Sequence, residues 1–211
     1  MQITSLNVGM PTEHWWQGKI VRTGIVKQPT DARLAVGLTN LEGDGQGDLT
    51  VHGGRDKAVY AYDEAHYAFW RQTRPELSLP PGQFGENLTT RGLPDEQVRI
   101  GDQFRVGTAV LMAVQPRFPC FKLGLRFGDA DMVRAFGQVR RHGIYFRVLE
   151  TGTVGRGDAI TLLERSAYAV TIQQIVDTFY AEHKDPALVN ALLDVPFLPG
   201  FLRKSFTRWR A

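Results

Sequence analysis

The chain has 211 residues, of which 43% are hydrophobic and 22% charged, and its formal net charge is +3. This composition is typical of a globular protein, and the charge is too small to indicate nucleic-acid binding by itself. No apolar run is long enough for a transmembrane helix, and the first residues do not resemble a signal peptide, so we expect a cytoplasmic protein without a membrane partner. Cys120 is the single cysteine, which excludes an intramolecular disulfide.

Residues 1–165 are rich in glycine and in short β-branched runs that are separated by turn sequences such as Gly43-Asp44-Gly45. Many short strands at this spacing predict a mainly β domain, a barrel or a sandwich, and not a doubly wound sheet. The predicted strands are residues 2–8, 20–27, 36–41, 58–62, 84–90, 103–106, 110–115, 144–149 and 159–163.

Helices are predicted at two points inside this β pattern. Asp63 is a candidate N-cap for a helix over residues 64–73, and Asp129 for a helix over residues 130–139. We expect both helices to cover the ends of the β domain.

From Ser166 onward the spacing of apolar residues becomes helical. Thr171 is the predicted N-cap of a helix over residues 172–180, Asp185-Pro186 opens a second helix that runs through Leu193, and residues 202–209 form a third. We expect residues 166–211 to pack on the β domain or on a second subunit, because so small a unit buries little apolar area alone.

The first candidate site residue is Cys120, which follows Pro119 in a segment with two prolines. Pro119 disfavours a helical conformation of the residue before it, so Cys120 is predicted in the first turn of a short helix over residues 120–127. A helix N-terminus and the nearby cations Arg117 and Lys122 favour the thiolate, which is a soft metal ligand. The alternative is that Cys120 is a small buried apolar residue.

A second candidate is the glycine-rich segment over residues 51–58, which contains His52, Gly53-Gly54, Arg55 and Lys57. The two glycines allow the backbone to approach a ligand closely, and the two cations suit an anion such as phosphate. The alternative is an ordinary tight turn, and the spacing is not that of a Walker loop.

Two further positions place polar groups next to apolar strands. Glu86 and Asn87 offer a carboxylate and an amide, which can hydrogen-bond the edge of a pterin or purine ring, although solvated turn residues would show the same pattern. Arg147 lies inside an apolar strand, where a charge needs either a structural carboxylate or an anionic ligand. The sequence is compatible with both partners.

These segments, in this order, resemble the MOSC domain, and most closely its YiiM-like branch. The resemblance is carried by residues 41–44, 51–58, 84–88 and 115–123, and the helical stretch after residue 165 is similar to a three-helix extension of that branch. The resemblance implies a MOSC β-barrel domain over residues 1–165 and a C-terminal three-helix extension over residues 166–211.

The resemblance also implies a molybdenum–molybdopterin cofactor, with Cys120 as the metal ligand, and the reduction of N-hydroxylated compounds such as N-hydroxylaminopurines to amines. Electrons would come from a separate flavoprotein-type reductase. His52 and Glu86 are the candidate proton donors, with His52 placed beside Cys120 in the catalytic set. Guided by motif and charge, we place the cofactor contacts at His52, Arg55, Lys57, Glu86, Asn87, Arg117, Lys122 and Arg147.

Two other functions are compatible with the same sequence. Cys120 could carry sulfur as a persulfide without a metal, although no pyridoxal-phosphate desulfurase domain accompanies it. The basic residues around Trp209 could belong to a binding module, but such a stretch is usually a solvated helix face, so we do not expect nucleic acid as a partner. The sequence is also compatible with a homodimer.

Overall fold

The structure is a computed structural model that describes residues 1–47 and 53–210. The strands are β1 Gln2–Val8, β2 Thr12–Trp16, β3 Lys19–Thr23, β4 Gln28–Thr30, β5 Leu34–Val36, β6 Val59–Asp63, β7 Leu88–Arg91, β8 Gln103–Val106, β9 Ala109–Pro116, β10 Ile144–Glu150, β11 Gly152–Val154 and β12 Ile160–Glu164. The helices are α1 Glu64–Thr73, α2 Phe121–Phe127, α3 Met132–Val139, α4 Ile172–Tyr180, α5 Pro186–Leu193 and α6 Gly200–Arg208. The described part of the chain is therefore mainly β, as predicted.

Eight of these strands form one mixed sheet in the order β12-β8-β9-β10-β6-β7-β1-β4. Its neighbours are antiparallel except for β6 and β7, which are parallel. Backbone hydrogen bonds from Ile3 N to Asp158 O (3.0 Å) and from Ile160 N to Met1 O (2.8 Å) bring β1 close to the start of β12. The ladders of the described strands do not close completely, so the mainly β class is confirmed and the barrel stays a prediction.

Strand β9 lies in the interior of the sheet and leads into the segment that carries Cys120. All eight of its residues are buried, because β8 and β10 flank it and both of its faces are covered. A continuous apolar run is typical of a strand buried on two faces. The polar segment that follows β9 is thus held at the edge of a rigid element.

Two apolar clusters make up the core. The larger one contains Phe104 and Phe146 of the sheet together with Ile172, Leu192 and Phe206 of helices α4 to α6. The smaller one is mostly aromatic and lies around α1, α2 and α3. The C-terminal helices thus pack on the sheet, which is one of the two expected arrangements. The division of the chain into two units at residue 165 stays a prediction.

Several helix boundaries follow from capping residues that the sequence displays. Asp63 accepts a hydrogen bond from Ala65 N (3.0 Å) at the start of α1, and Asp185 accepts one from Ala187 N (2.9 Å) at the start of α5. Thr171 and Gln174 form a reciprocal capping box at the start of α4. These predictions are confirmed because capping chemistry is local.

Other boundaries were predicted wrongly. Of the strand expected at residues 36–41, only Val36 belongs to β5, and a turn follows in which Gly37 N donates to Asn40 O (2.9 Å). Helix α3 begins at Met132 with Asp131 as its N-cap, and Asp129 instead accepts a hydrogen bond from Asp131 N (2.9 Å).

The hairpin of β2 and β3 was also missed in part, since β2 was not predicted and the strand expected at residues 20–27 ends at Thr23. Its turn residues Gln17 and Gly18 both have positive φ, 47° and 81°. This conformation matches a two-residue hairpin loop.

No helix among the described residues is long and apolar enough to cross a membrane.

Candidate functional site

A cavity opens where the segment after β9 meets the loops that follow β3 and surround Gly45. The empty space within it is about 650 Å³, including its open mouth. Five of the predicted site residues line the cavity: Lys57, Asn87, Arg117, Cys120 and Lys122.

Cys120 is the N-cap residue of α2, which begins at Phe121. The helix was predicted to begin one residue earlier, at Cys120 itself. Its backbone is extended, with φ −136° and ψ 168°, and its carbonyl accepts a hydrogen bond from Leu123 N (2.9 Å). The residue is half-buried and lines the cavity. The structure thus gives the thiol access to a ligand in the cavity, unlike a cysteine that is sealed in the core.

Arg117 lines the cavity and is 5% exposed. Its guanidinium carbon lies 5.5 Å from the ring centroid of Tyr60 and 5.5 Å from that of Phe136. Burial disfavours the charged form, but Tyr60, Tyr145 and Cys120 outweigh burial and raise the pKa of Arg117. Its Nη1 atom is buried and has no hydrogen-bond partner among the residues that the structure describes.

Lys57 and Lys122 add two more cations to the cavity wall. Burial lowers the pKa of Lys57, while electrostatic interactions with Cys120 and Asp56 act in the opposite direction. Lys122 is 7% exposed, so its charged group has little access to bulk water. Both cations are therefore placed where an anionic ligand would stabilise them.

The base of the cavity holds an ion pair between Lys27 and Asp44, both of which are buried. Asp44 also accepts hydrogen bonds from Asn87 Nδ2 (2.9 Å) and from Gly9 N (2.9 Å). Asn87 Oδ1 in turn accepts from Tyr60 N (3.1 Å). Burial lowers the pKa of Lys27, and its contacts with Asp44 oppose that shift. Asn87 thus joins strand β6 to the ion pair.

Glu86 does not line the cavity. Its carboxylate is fully buried and accepts hydrogen bonds from Tyr67 OH (2.5 Å), Gly82 N (2.7 Å) and Thr89 Oγ1 (2.8 Å). Burial raises its pKa, although these hydrogen bonds act in the opposite direction. In this structure Glu86 holds the loop before β7 together, and its role as a cofactor contact stays a prediction.

Two of the remaining predicted residues, Arg55 and Arg147, lie at the 3-10 turn Arg55–Lys57. Arg147 binds Asp56 in that turn, through Nε (2.7 Å) and Nη2 (2.5 Å). Of the two partners expected for Arg147, a structural carboxylate or an anionic ligand, the structure shows the carboxylate. Arg55 is exposed and does not line the cavity. His52 lies outside the described residues. The roles of these three as cofactor contacts stay predictions.

Among the cavity-lining residues that sequence reasoning did not select are Lys27, Asp44, Tyr60 and Tyr145. Tyr60 and Tyr145 are paired across β6 and β10, with ring centroids 5.0 Å apart. Burial is the main cause that raises the pKa of each tyrosine. Asp44 belongs to a segment that carried the family resemblance, and that was its sequence signal. The two tyrosines look like ordinary core residues of apolar strands.

Comparisons with known proteins show which family the chain belongs to. The model of the MOSC domain matches residues 48–161. The chain is 36% identical over 189 residues to protein YiiM of Escherichia coli, covering 88% of this chain and 82% of that protein. It is 40% identical over 197 residues to a Gibberella moniliformis protein named "Reductase", covering 92% of this chain but 35% of that longer protein.

The fold supports the same relationship. The crystal structure of YiiM from Geobacillus stearothermophilus superposes with a TM-score of 0.82 at 33% sequence identity, covering 100% of this chain and 99% of that chain. By both sequence and fold, the chain belongs to the MOSC family and is a YiiM-like member of it.

Proposed function

We propose that this chain binds a molybdenum–molybdopterin cofactor in the cavity and reduces N-hydroxylated compounds to amines. The observation that carries the proposal is that one cavity holds the thiol of Cys120 together with Lys57, Arg117 and Lys122. Membership of the MOSC family, which is generally associated with the molybdenum cofactor, supports the same ligand.

The charges around the cavity fit a ligand that carries a phosphate. Four cations line its wall, Lys27, Lys57, Arg117 and Lys122, whereas Asp44 is its one carboxylate among the described residues. Asp44 is already paired with Lys27. An unpaired buried guanidinium nitrogen is costly, and a phosphate oxygen is a suitable partner for such a group. We therefore assign Arg117, Lys57 and Lys122 to the anionic part of the cofactor.

The donor set also fits a metal that arrives with ligands of its own. Within residues 1–47 and 53–210, no group of three or more His, Cys, Asp or Glu side chains could hold a metal ion. A pterin dithiolene supplies sulfur ligands, and Cys120 would add one more soft ligand from the protein. The cavity thus needs to contribute a single thiolate.

When bound, the cofactor supplies two-electron redox chemistry. In the net reaction the N–O bond of R–NHOH breaks, the nitrogen gains one proton, and the oxygen gains one proton and leaves as water. Two electrons come from a separate reductase of the flavoprotein type. The resemblance to a protein named "Reductase" supports this class of reaction. Because Glu86 is held away from the cavity, we retain His52 as the proposed proton donor.

The proposal is tested with protein purified from a host that makes the cofactor. We expect one molybdenum per chain, and reduction of an N-hydroxylated purine with reduced methyl viologen as the electron donor. Cys120→Ser should lose both while its circular dichroism spectrum is unchanged, because a hydroxyl is a poor soft-metal ligand. A Cys120→Ser protein with wild-type molybdenum content and activity would contradict the proposal. Cyanide-releasable sulfur on metal-free wild-type protein would instead support the persulfide carrier.

A further inference from the structure

Two phenylalanines form an aromatic corner at the edge of the cavity. The rings of Phe118 and Phe201 meet edge to face, with centroids 5.6 Å apart and an interplanar angle of 85°. Phe118 lines the cavity two residues before Cys120. Phe201, the second residue of α6, lies outside the cavity lining but packs on Phe118, so the C-terminal helices contact a residue of the cavity wall.

Phe201 differs from the other large apolar residues of its helix. Leu202 and Phe206 are fully buried in the core, whereas 41% of Phe201 is exposed. Helix α6 is therefore held by its buried face and presents Phe201 on its accessible face. Lys57 Nζ lies 6.0 Å from the Phe201 ring centroid, and the same lysine interacts electrostatically with Cys120. Lys57 is thus close to the corner and also interacts with the residue that carries the thiol.

The ring of Phe118 is held in place by aromatic neighbours that are not part of the cavity lining. Its ring packs against Phe179 of α4 at 4.4 Å between centroids and lies 5.7 Å from the ring of His142. A ring that is supported in this way loses little conformational entropy when a ligand binds to its other side. The corner is therefore a preformed apolar surface beside a cationic site.

We propose that the ring of a planar N-hydroxylated substrate packs against Phe118 and Phe201, which makes Phe201 a residue that determines specificity. This inference rests on the proposed function. Aromatic side chains stack with heteroaromatic rings regardless of the ring's hydrogen-bonding pattern. An N-hydroxylated purine would gain this contact, whereas an N-hydroxylated compound without a ring would not. The corner therefore affects substrate choice and leaves the chemistry at Cys120 unchanged.

The test compares Phe201→Ala with wild type on two substrates, an N-hydroxylated purine and N-methylhydroxylamine, using reduced methyl viologen. We expect kcat/KM for the purine to fall roughly tenfold, the scale of one stacking contact, and that for N-methylhydroxylamine to stay unchanged. Molybdenum content should also stay unchanged, and Phe201→Trp should restore activity on the purine. Trp15→Ala is the matched control, because Trp15 is an aromatic residue that is 73% exposed and, within the part of the chain that the structure describes, has no ring contact with Phe118.

Three results would overturn the inference. An equal loss on both substrates would indicate a structural role, a loss of molybdenum would make Phe201 a cofactor contact, and no change would remove it from the site. If wild-type protein reduces neither substrate, the proposed function is wrong. In that case, titration with the corresponding aminopurine tests the aromatic corner independently of catalysis. Weaker binding to Phe201→Ala than to wild type would support the corner as a ring-binding surface, and equal binding would contradict it.

Discussion

Arg147 of β10 binds the carboxylate of Asp56 through both Nε and Nη2, at 2.7 and 2.5 Å. Asp56 lies in the 3-10 turn directly before Lys57, and its backbone carbonyl also accepts a hydrogen bond from Gln115 Nε2 (3.0 Å). Strands β9 and β10 thus both fix the turn that presents Lys57 to the cavity. Arg147 acts on the site through this turn.

Replacing Arg147 with methionine should weaken cofactor retention while the fold stays intact. The pair is partly exposed, so we expect a loss of only about 0.5–1 kcal/mol in the free energy of unfolding. Molybdenum content and urea unfolding measure the two effects. Arg33→Ala is the matched control, because Arg33 forms a comparable pair with Asp158 and does not line this cavity. Equal molybdenum content in both variants would show that Arg147 does not position Lys57.

Asp44→Asn should destabilise the protein strongly. Lys27 and Asp44 are both buried, and removal of one partner leaves an uncompensated buried charge, which costs about 3–5 kcal/mol. The double variant Lys27→Met/Asp44→Asn should recover much of this loss, because no unpaired charge remains. Urea unfolding of the single and double variants at constant pH measures this coupling. Additive losses in the double variant would mean that the two side chains do not interact in solution.

His142 should make the protein less stable in acid. Burial lowers its pKa to about 3, and both ring nitrogens lack hydrogen-bond partners among the described residues. An unfolded histidine has a pKa of about 6.5, so between these values the unfolded chain binds a proton that the folded chain does not. The free energy of unfolding should therefore fall by up to about 1.4 kcal/mol per unit as pH decreases from about 6.5 toward 3.

The matching variant is His142→Phe, whose ring suits the contacts with Phe136 and Phe118. Urea unfolding between about pH 4.5 and 8 should show a smaller slope for this variant, by one proton. Identical slopes for the variant and wild type would show that His142 is already protonated or exposed in solution.

The parts of the site that the sequence predicted are those that lie together along the chain. Arg117, Cys120 and Lys122 fall within six residues, and the prolines beside them indicate a fixed backbone before the structure is known. Helices α1, α4 and α5 were predictable for the same reason, since their caps and apolar faces are local features. The predicted boundaries of β5 and α3 were wrong because they depend on turns, and alternative turns at these positions have similar local sequence preferences.

The parts that were missed come together only through contacts between segments that are distant in the chain. Tyr60 and Tyr145 are neighbours because β6 and β10 pair in one particular register. Lys27 meets Asp44 across two loops, and no spacing in the sequence indicates that contact. Glu86 shows the converse case, because a carboxylate that looks suited to a ligand is satisfied by Tyr67, Gly82 and Thr89. Long-range pairing therefore decides which polar residues face the cavity.

Phe179→Ala should affect the site from a distance, because Phe179 of α4 supports Phe118 at 4.4 Å between ring centroids. Loss of a partly buried aromatic ring costs up to about 3 kcal/mol of unfolding free energy, and Phe118 would lose the surface that holds it at the cavity. We expect lower molybdenum content and faster reaction of Cys120 with a thiol reagent in the metal-free protein. Phe197→Ala is the matched control, since Phe197 packs on Tyr168 and does not line the cavity. If both variants lose stability but keep wild-type molybdenum content and thiol reactivity, the C-terminal helices do not position the segment that carries Cys120.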